Sequence, residues 1–222
     1  SLAFHSEVPV ESVYREGITK ITAQQITAAR TAGYAVKLLA ICERASNGEK
    51  EGIVIRVHPT LIPLSHPLAA VRGAYNAVFV EAESAGELMF YGAGAGGKET
   101  ASAILGDLVS AAKRHLAGGP GLADSTHANL EILPVQSGVT SFQITREVSD
   151  EAGVLASIAS VFAENGVSVE TVHQSPADKD AAAVLTVMTH VALESDLEKV
   201  VVALSKNMAV VNVNSVIRVE GL

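Results

Sequence analysis

The sequence predicts a mixed α+β and α/β chain in two parts: a mostly antiparallel sheet with helices, then a smaller βαββαβ unit. Three observations carry this expectation. Short β-branched runs bounded by turn residues fill much of the stretch before position 91, a glycine-rich segment then runs into a long helical series, and strand and helix periodicities alternate from Thr140 onward.

The first helix is expected from Thr22, a good N-cap residue, with Gln25 three positions on to complete a capping box and Ile26 and Ala29 at helical spacing. Gly33 stops it. Residues 36–41 and 52–57 are short apolar runs bounded by Asn47-Gly48 and His58-Pro59, and read as the strands of a hairpin. Residues 76–83 and 87–91 form a second pair, turned at Ser84-Ala85-Gly86.

Four glycines in the six positions 92–97 then lead into the helix-forming series 101–105. Glycine lets backbone approach a ligand without a Cβ in the way, and exposed N–H groups at a helix N-terminus suit an anion. A nucleotide phosphate is the first candidate. Ala117-Gly118-Gly119-Pro120-Gly121 cannot continue the helix, and the polar run 124–129 buries little, so a linker is expected over 117–136.

Beyond it, residues 140–148 alternate as a strand. Residues 153–165 place Val154, Leu155, Ile158, Val161 and Phe162 on one helical stripe ended by Asn165-Gly166. Strands follow at 167–174 and 181–190, with a turn over 176–180. Ser195 is expected to cap a helix through Lys206 with Glu198 at the capping-box position, before a last strand at 210–219. This βαββαβ order is the split ferredoxin-like unit.

Composition narrows the function. A net charge of −8 with no basic run leaves a nucleic-acid partner no electrostatic footing. No apolar run is long enough to span a bilayer, no leader opens the chain, and the single cysteine, Cys42, cannot form an intramolecular disulfide; a cytoplasmic protein is expected. The opening Ser1-Leu2-Ala3-Phe4 reads as a cut end, because Leu2, Phe4 and Val8 need a partner to cover them. His5, His58, His66, His115, His127, His173 and His190 contain no His-x-x-x-His pair, so no metal site is expected, and a Gly-x-Ser-x-Gly elbow is absent. His66, before Pro67, reads as a turn residue satisfied by backbone.

Two resemblances add to this reading. Asp150-Glu151-Ala152-Gly153-Val154-Leu155 is similar to the Asp-x-x-Gly-Val-Leu turn of ACT domains, amino-acid sensors attached to biosynthetic enzymes, and Val167-Ser168-Val169 after Asn165-Gly166, with Gln174, extends the likeness. It implies a regulatory ligand site at Asp150, Gly153, Val154, Leu155 and Gln174, with paired ACT domains in a homo-oligomer, a dimer or higher. For Asp150, capping of the following helix and contact with ligand both remain open.

The first part resembles the C-terminal third of the homoserine dehydrogenase catalytic region. The residues that carry this are Tyr14-Arg15-Glu16-Gly17-Ile18, Lys37-Leu38-Leu39, His66-Pro67-Leu68-Ala69, Gly73, Asn76-Ala77-Val78, the glycine segment with Thr100-Ala101-Ser102, and Asp107. Ala93 and Glu99 stand where the family's glycine segment has prolines, and Glu99 adds a negative charge. The resemblance implies cofactor contact, NADP or NAD, from Gly92, Gly94, Ala95, Gly96 and Thr100, with the Rossmann unit and catalytic lysines upstream and no catalytic residue in this chain. The family reaction is hydride transfer between NAD(P)H and aspartate semialdehyde to give homoserine, with threonine the expected ACT effector.

The expected organisation is therefore a catalytic and dimerisation segment at 1–116, of which 91–116 returns to the nucleotide domain, a linker at 117–136 and an ACT domain at 137–222. This chain alone is expected to be inactive. The alternative is a free-standing ACT-type amino-acid-binding regulatory protein.

Overall fold

The computed structural model describes residues 3–46, 48, 50–118, 128–176, 182–207 and 210–221. Most of the turn expected at 176–180 and of the glycine-proline run at 118–121 lies outside them. Two compact units form, Ser1–Ser6 with Leu64–Ala128, and Glu7–Pro63 with Asn129–Leu222.

Among the described residues, the second unit forms a nine-stranded sheet. β1 (Tyr14–Arg15) is followed by α1 (Ala23–Thr31), β2 (Tyr34–Ser46) and β3 (Glu51–Pro63). The predicted capping box opens α1: Thr22 Oγ1 accepts from Gln25 N at 3.2 Å, and Thr22 N donates to Gln25 Oε1 at 2.7 Å. β2 and β3 pair antiparallel from Tyr34↔Pro63 to Ser46↔Glu51. This hairpin runs well past the strand ends expected from sequence, because Pro59 and Pro63 lie on β3 and pair within its register.

The other edge of β3 takes three partners in succession, all parallel. β6 (Glu131–Ile132) pairs at Gly52–Ile53, β1 at Arg56–Val57, and β11 (Val210–Val219) at Thr60–Leu61. Within the residues expected as a linker, β6 is therefore docked in the sheet and Leu133 and Val135 are buried. The linker expectation rested on the glycine-proline run and the polar run 124–129, whereas the stretch beyond them carries the apolar Leu133 and Val135, which are buried. At Gly52 any Cβ would strike the Glu131 carbonyl oxygen and the Leu133 side chain. Gly52→Ala is expected to cost about 1–3 kcal/mol, seen as a lower urea midpoint with an unchanged slope.

From β11 the sheet continues antiparallel through β7 (Val139–Ser149) and β9 (Ala182–Thr189) to β8 (Val169–Pro176), while β10 (Ala192–Leu193) pairs with β7. With α3 (Val154–Glu164) and α4 (Glu194–Lys206), this is the predicted βαββαβ order. Alternation along β7 sends Phe142, Ile144 and Val148 into the core, where Ile158 and Phe162 of α3 and Leu197, Val200 and Leu204 of α4 meet them at helical spacing. Leu155, expected on the same stripe, is instead exposed.

A smaller cluster joins Ala29 and Leu61 to Met188, Ile217 and Val219. Residues on both sides of the expected linker thus share one sheet and one packed cluster, so the compact units divide the chain differently from its composition.

Ser195 does not cap α4. The helix starts at Glu194 with Leu193 at the N-cap, and Glu198 accepts from Gln136 Nε2 at 3.1 and 3.3 Å instead of closing a capping box. Glu194 sits there because its buried carboxylate has Arg218 as partner, a tertiary contact that outranks a local cap.

In the first unit, β4 (Tyr75–Ala82) and β5 (Gly86–Ala93) form the expected second hairpin and α2 spans Gly97–Ala117. Gly118, at φ 71°, ends α2. His66 Nδ1 accepts from Leu68 N at 3.2 Å, the backbone-satisfied turn role expected for it. Ile104, Leu105, Leu108 and Val109 of α2 are exposed, as are Val78 and Phe90 of the hairpin. Among the described residues no helix is long and apolar enough to cross a membrane.

Candidate functional site

The chain leaves β7 at Ser149, turns through Asp150–Ala152 and enters α3 at Gly153. Gly153 is the N-cap at φ 94°, ψ −14°, a left-handed conformation that a side chain resists. Among the described residues no side chain caps this helix; Val154 N donates to Glu151 O at 3.3 Å, and the remaining N–H groups of its first turn, with the positive end of its dipole, are left for whatever occupies that end.

Asp150 therefore does not take the capping role held open for it. Its Oδ1 accepts from Gln174 Nε2 of β8 at 3.1 Å, joining two loci that lie 24 residues apart. All of Asp150, Gly153, Val154, Leu155 and Gln174 line one cavity of about 300 Å³, floored by Val148 and Leu185. That volume is at the small end for a ligand site. The exposure of Leu155 has its reason here, since it faces this hollow and not the core.

The lining combines a carboxylate and an amide, the N-terminus of α3, and the apolar Val154, Leu155 and Leu185. A helix N-terminus favours a carboxylate and Asp150 favours an ammonium. A small zwitterion with a short side chain matches both.

The glycine segment behaves differently. Gly94 N donates to Ala74 O at 2.9 Å, and a Cβ on Gly94 would meet the end of the Asn76 side chain. Gly96, at φ 137°, is the N-cap of α2, and Thr100 N donates to its carbonyl at 3.0 Å. Gly92 and Ala95 lie on either side of Gly94, Gly92 within β5. The Glu99 carboxylate folds back against Gly96 and would clash with any Cβ there. A carboxylate thus lies at this helix N-terminus, where the sequence led to the expectation of a bound phosphate.

Sequence reasoning missed a buried ionic spine. Arg56, His58 and Thr60 share one face of β3 and are fully buried. Arg56 pairs with Glu43 of β2 through Nη1 and with Glu220 through Nη2 at 2.8 Å, and Glu220 also accepts from Thr140 Oγ1 at 3.0 Å. Arg218 of β11 pairs with Glu194 and, at 3.1 Å, with Glu16, and lies over the rings of Tyr14 and Phe142. His58 Nδ1 is 3.1 Å from Pro59 O and 3.0 Å from Thr60 Oγ1, while its Nε2 is buried with no hydrogen-bond partner among the described residues. Burial and the nearby Arg218 and Arg56 hold the imidazole down to about 4. The alternation Arg56-x-His58-x-Thr60 in an otherwise apolar strand was the available signal. No group of three or more His, Cys, Asp or Glu side chains among the described residues is placed to hold a metal ion.

Comparison with known proteins bears on both parts. Residues 1–109 match the homoserine dehydrogenase family model, and residues 144–207 match the ACT domain model. A homoserine dehydrogenase of Corynebacterium glutamicum is 52% identical over 221 residues, which is 99% of this chain and 49% of that protein. One from Mycobacterium tuberculosis is 46% identical, covering 100% of this chain and 51% of its own length. The crystal structure of a homoserine dehydrogenase from Thiobacillus denitrificans superposes with a TM-score of 0.88 at 34% identity, over 99% of this chain and 50% of that one. The chain spans about half the length of the curated relatives it matches.

Proposed function

We propose that this chain, whose residues 1–109 and 144–207 match the homoserine dehydrogenase and ACT domain models, serves as the C-terminal half of a homoserine dehydrogenase. The whole enzyme interconverts aspartate semialdehyde and homoserine with NAD(P)H in threonine and methionine biosynthesis, in the cytoplasm. The observation that carries this reading is the order of the two matched segments, 1–109 and 144–207, in relatives that cover nearly the whole chain.

Division of labour follows from the residues present. Residues 1–116 supply the end of the catalytic and dimerisation region, and 137–222 the sensor. When bound, the nicotinamide cofactor supplies the hydride. This chain would hold the cofactor through backbone at Gly92, Gly94, Ala95, Gly96 and Thr100, with the Glu99 carboxylate folded back against Gly96. The apolar side chains left exposed on α2, Ile104, Leu105, Leu108 and Val109, support this reading as the surface the upstream half covers.

At the sensor, the cavity holds the effector, threonine: its carboxylate at the N-terminus of α3, its ammonium at Asp150, its small side chain against Val154 and Leu155. Pairing of ACT domains makes the protein a homo-oligomer. The purified chain is expected to form no reduced cofactor from homoserine and NADP⁺ or NAD⁺, because the catalytic lysines belong to the upstream half. Homoserine-dependent cofactor reduction by this chain would refute that assignment of the chemistry.

A further inference from the structure

A second cavity, also of about 300 Å³, lies on a different part of the sensor unit. Its apolar wall is Phe142 of β7, Val216 of β11 and Val201 and Val202 of α4. Its charged residues are Glu16, Glu198 and Arg218. Glu16 comes from the chain just after β1, so the cavity is walled from both sides of the expected linker.

The charges decide what it takes. Arg218 is spent: its Nε and Nη2 go to Glu194, its Nη1 to Glu16. Glu198 receives only the neutral amide of Gln136 and pairs with no Lys or Arg among the described residues. Glu16 gives one oxygen to Arg218 and keeps accepting capacity. The cavity is therefore apolar in its lining, with two carboxylates against one guanidinium that is already paired. We propose that it binds a small alkylammonium compound, its branched hydrocarbon against Val201, Val202, Val216 and Phe142 and its ammonium on Glu198 and Glu16. A ligand held there would tie α4 of the sensor to the segment after β1.

Three probes with one skeleton test this: 3-methylbutylamine, 3-methylbutanol and 3-methylbutanoate, each titrated into the chain by thermal shift and calorimetry. The amine is expected to stabilise the protein and to bind about tenfold or more tightly than the alcohol, with no response to the carboxylate. Glu198→Gln should remove that preference, and Val202→Trp should fill the cavity and abolish binding. Asp150→Asn, in the other cavity, should leave amine binding unchanged, which separates this site from the threonine site. Equal responses to amine and alcohol, or full amine affinity in both Glu198→Gln and Val202→Trp, would overturn the proposal.

Discussion

Replacing Arg218 with alanine is expected to destabilise the unit that carries the sensor by about 3–5 kcal/mol, the usual cost of stripping one partner from a buried ion pair. The Glu194 side chain is 1% exposed and would be left charged in the interior, with only the N-terminus of α4 to offset it. Glu16 and the rings of Tyr14 and Phe142 would lose their contacts as well. Equilibrium unfolding in urea measures the loss. Arg218→Met combined with Glu194→Met should recover part of it, since the penalty comes chiefly from the orphaned charge. A change within about 0.5 kcal/mol for Arg218→Ala, as at an ordinary surface site, would show that the ion pair has no such role.

Acid should weaken the same unit through His58. Folded, the imidazole is held down to about 4 from its ordinary 6.5 by burial, Arg218 and Arg56. Between those values the unfolded chain takes up a proton that the folded chain refuses. Stability is fully present above pH 6.5 and falls as the pH drops toward 4, by about 3 kcal/mol at roughly 1.4 kcal/mol per pKa unit. Glu220, whose carboxyl is pushed up by burial against the pull of Arg56, acts in the opposite sense, because the folded state holds its proton more tightly than the unfolded state does. His58→Gln isolates the histidine: its unfolding free energy should change less between pH 7 and 4.5 than that of the parent chain. An identical pH slope in both proteins would contradict the assignment.

Local chemistry made much of this fold legible. Thr22 and Gln25 form their box, the strand Val139–Ser149 follows its alternation, and the turn at Ser84-Ala85-Gly86 joins β4 to β5 as its residues suggest. The misses share a cause. Ser195 looked like a cap because the partner of Glu194, Arg218, stands 24 residues away; the partners of Arg56 stand 13 and 164 away. The docked end of the expected linker likewise depends on Gly52, a residue of another strand.

Of the candidate site, the five residues named through the resemblance line one cavity; the turn into α3 that carries four of them is local, whereas the hydrogen bond from Gln174 depends on the fold. For the glycine segment, sequence supplied the backbone geometry but not the position of the Glu99 carboxylate.

Titration of the chain with threonine, followed by its thermal unfolding, tests the account of the sensor most directly. At a hundred times the dissociation constant, threonine should add about 2.7 kcal/mol of stability, and Asp150→Ala should remove that gain while leaving the protein folded. No stabilisation by threonine at any concentration, or the same stabilisation in Asp150→Ala, would contradict it.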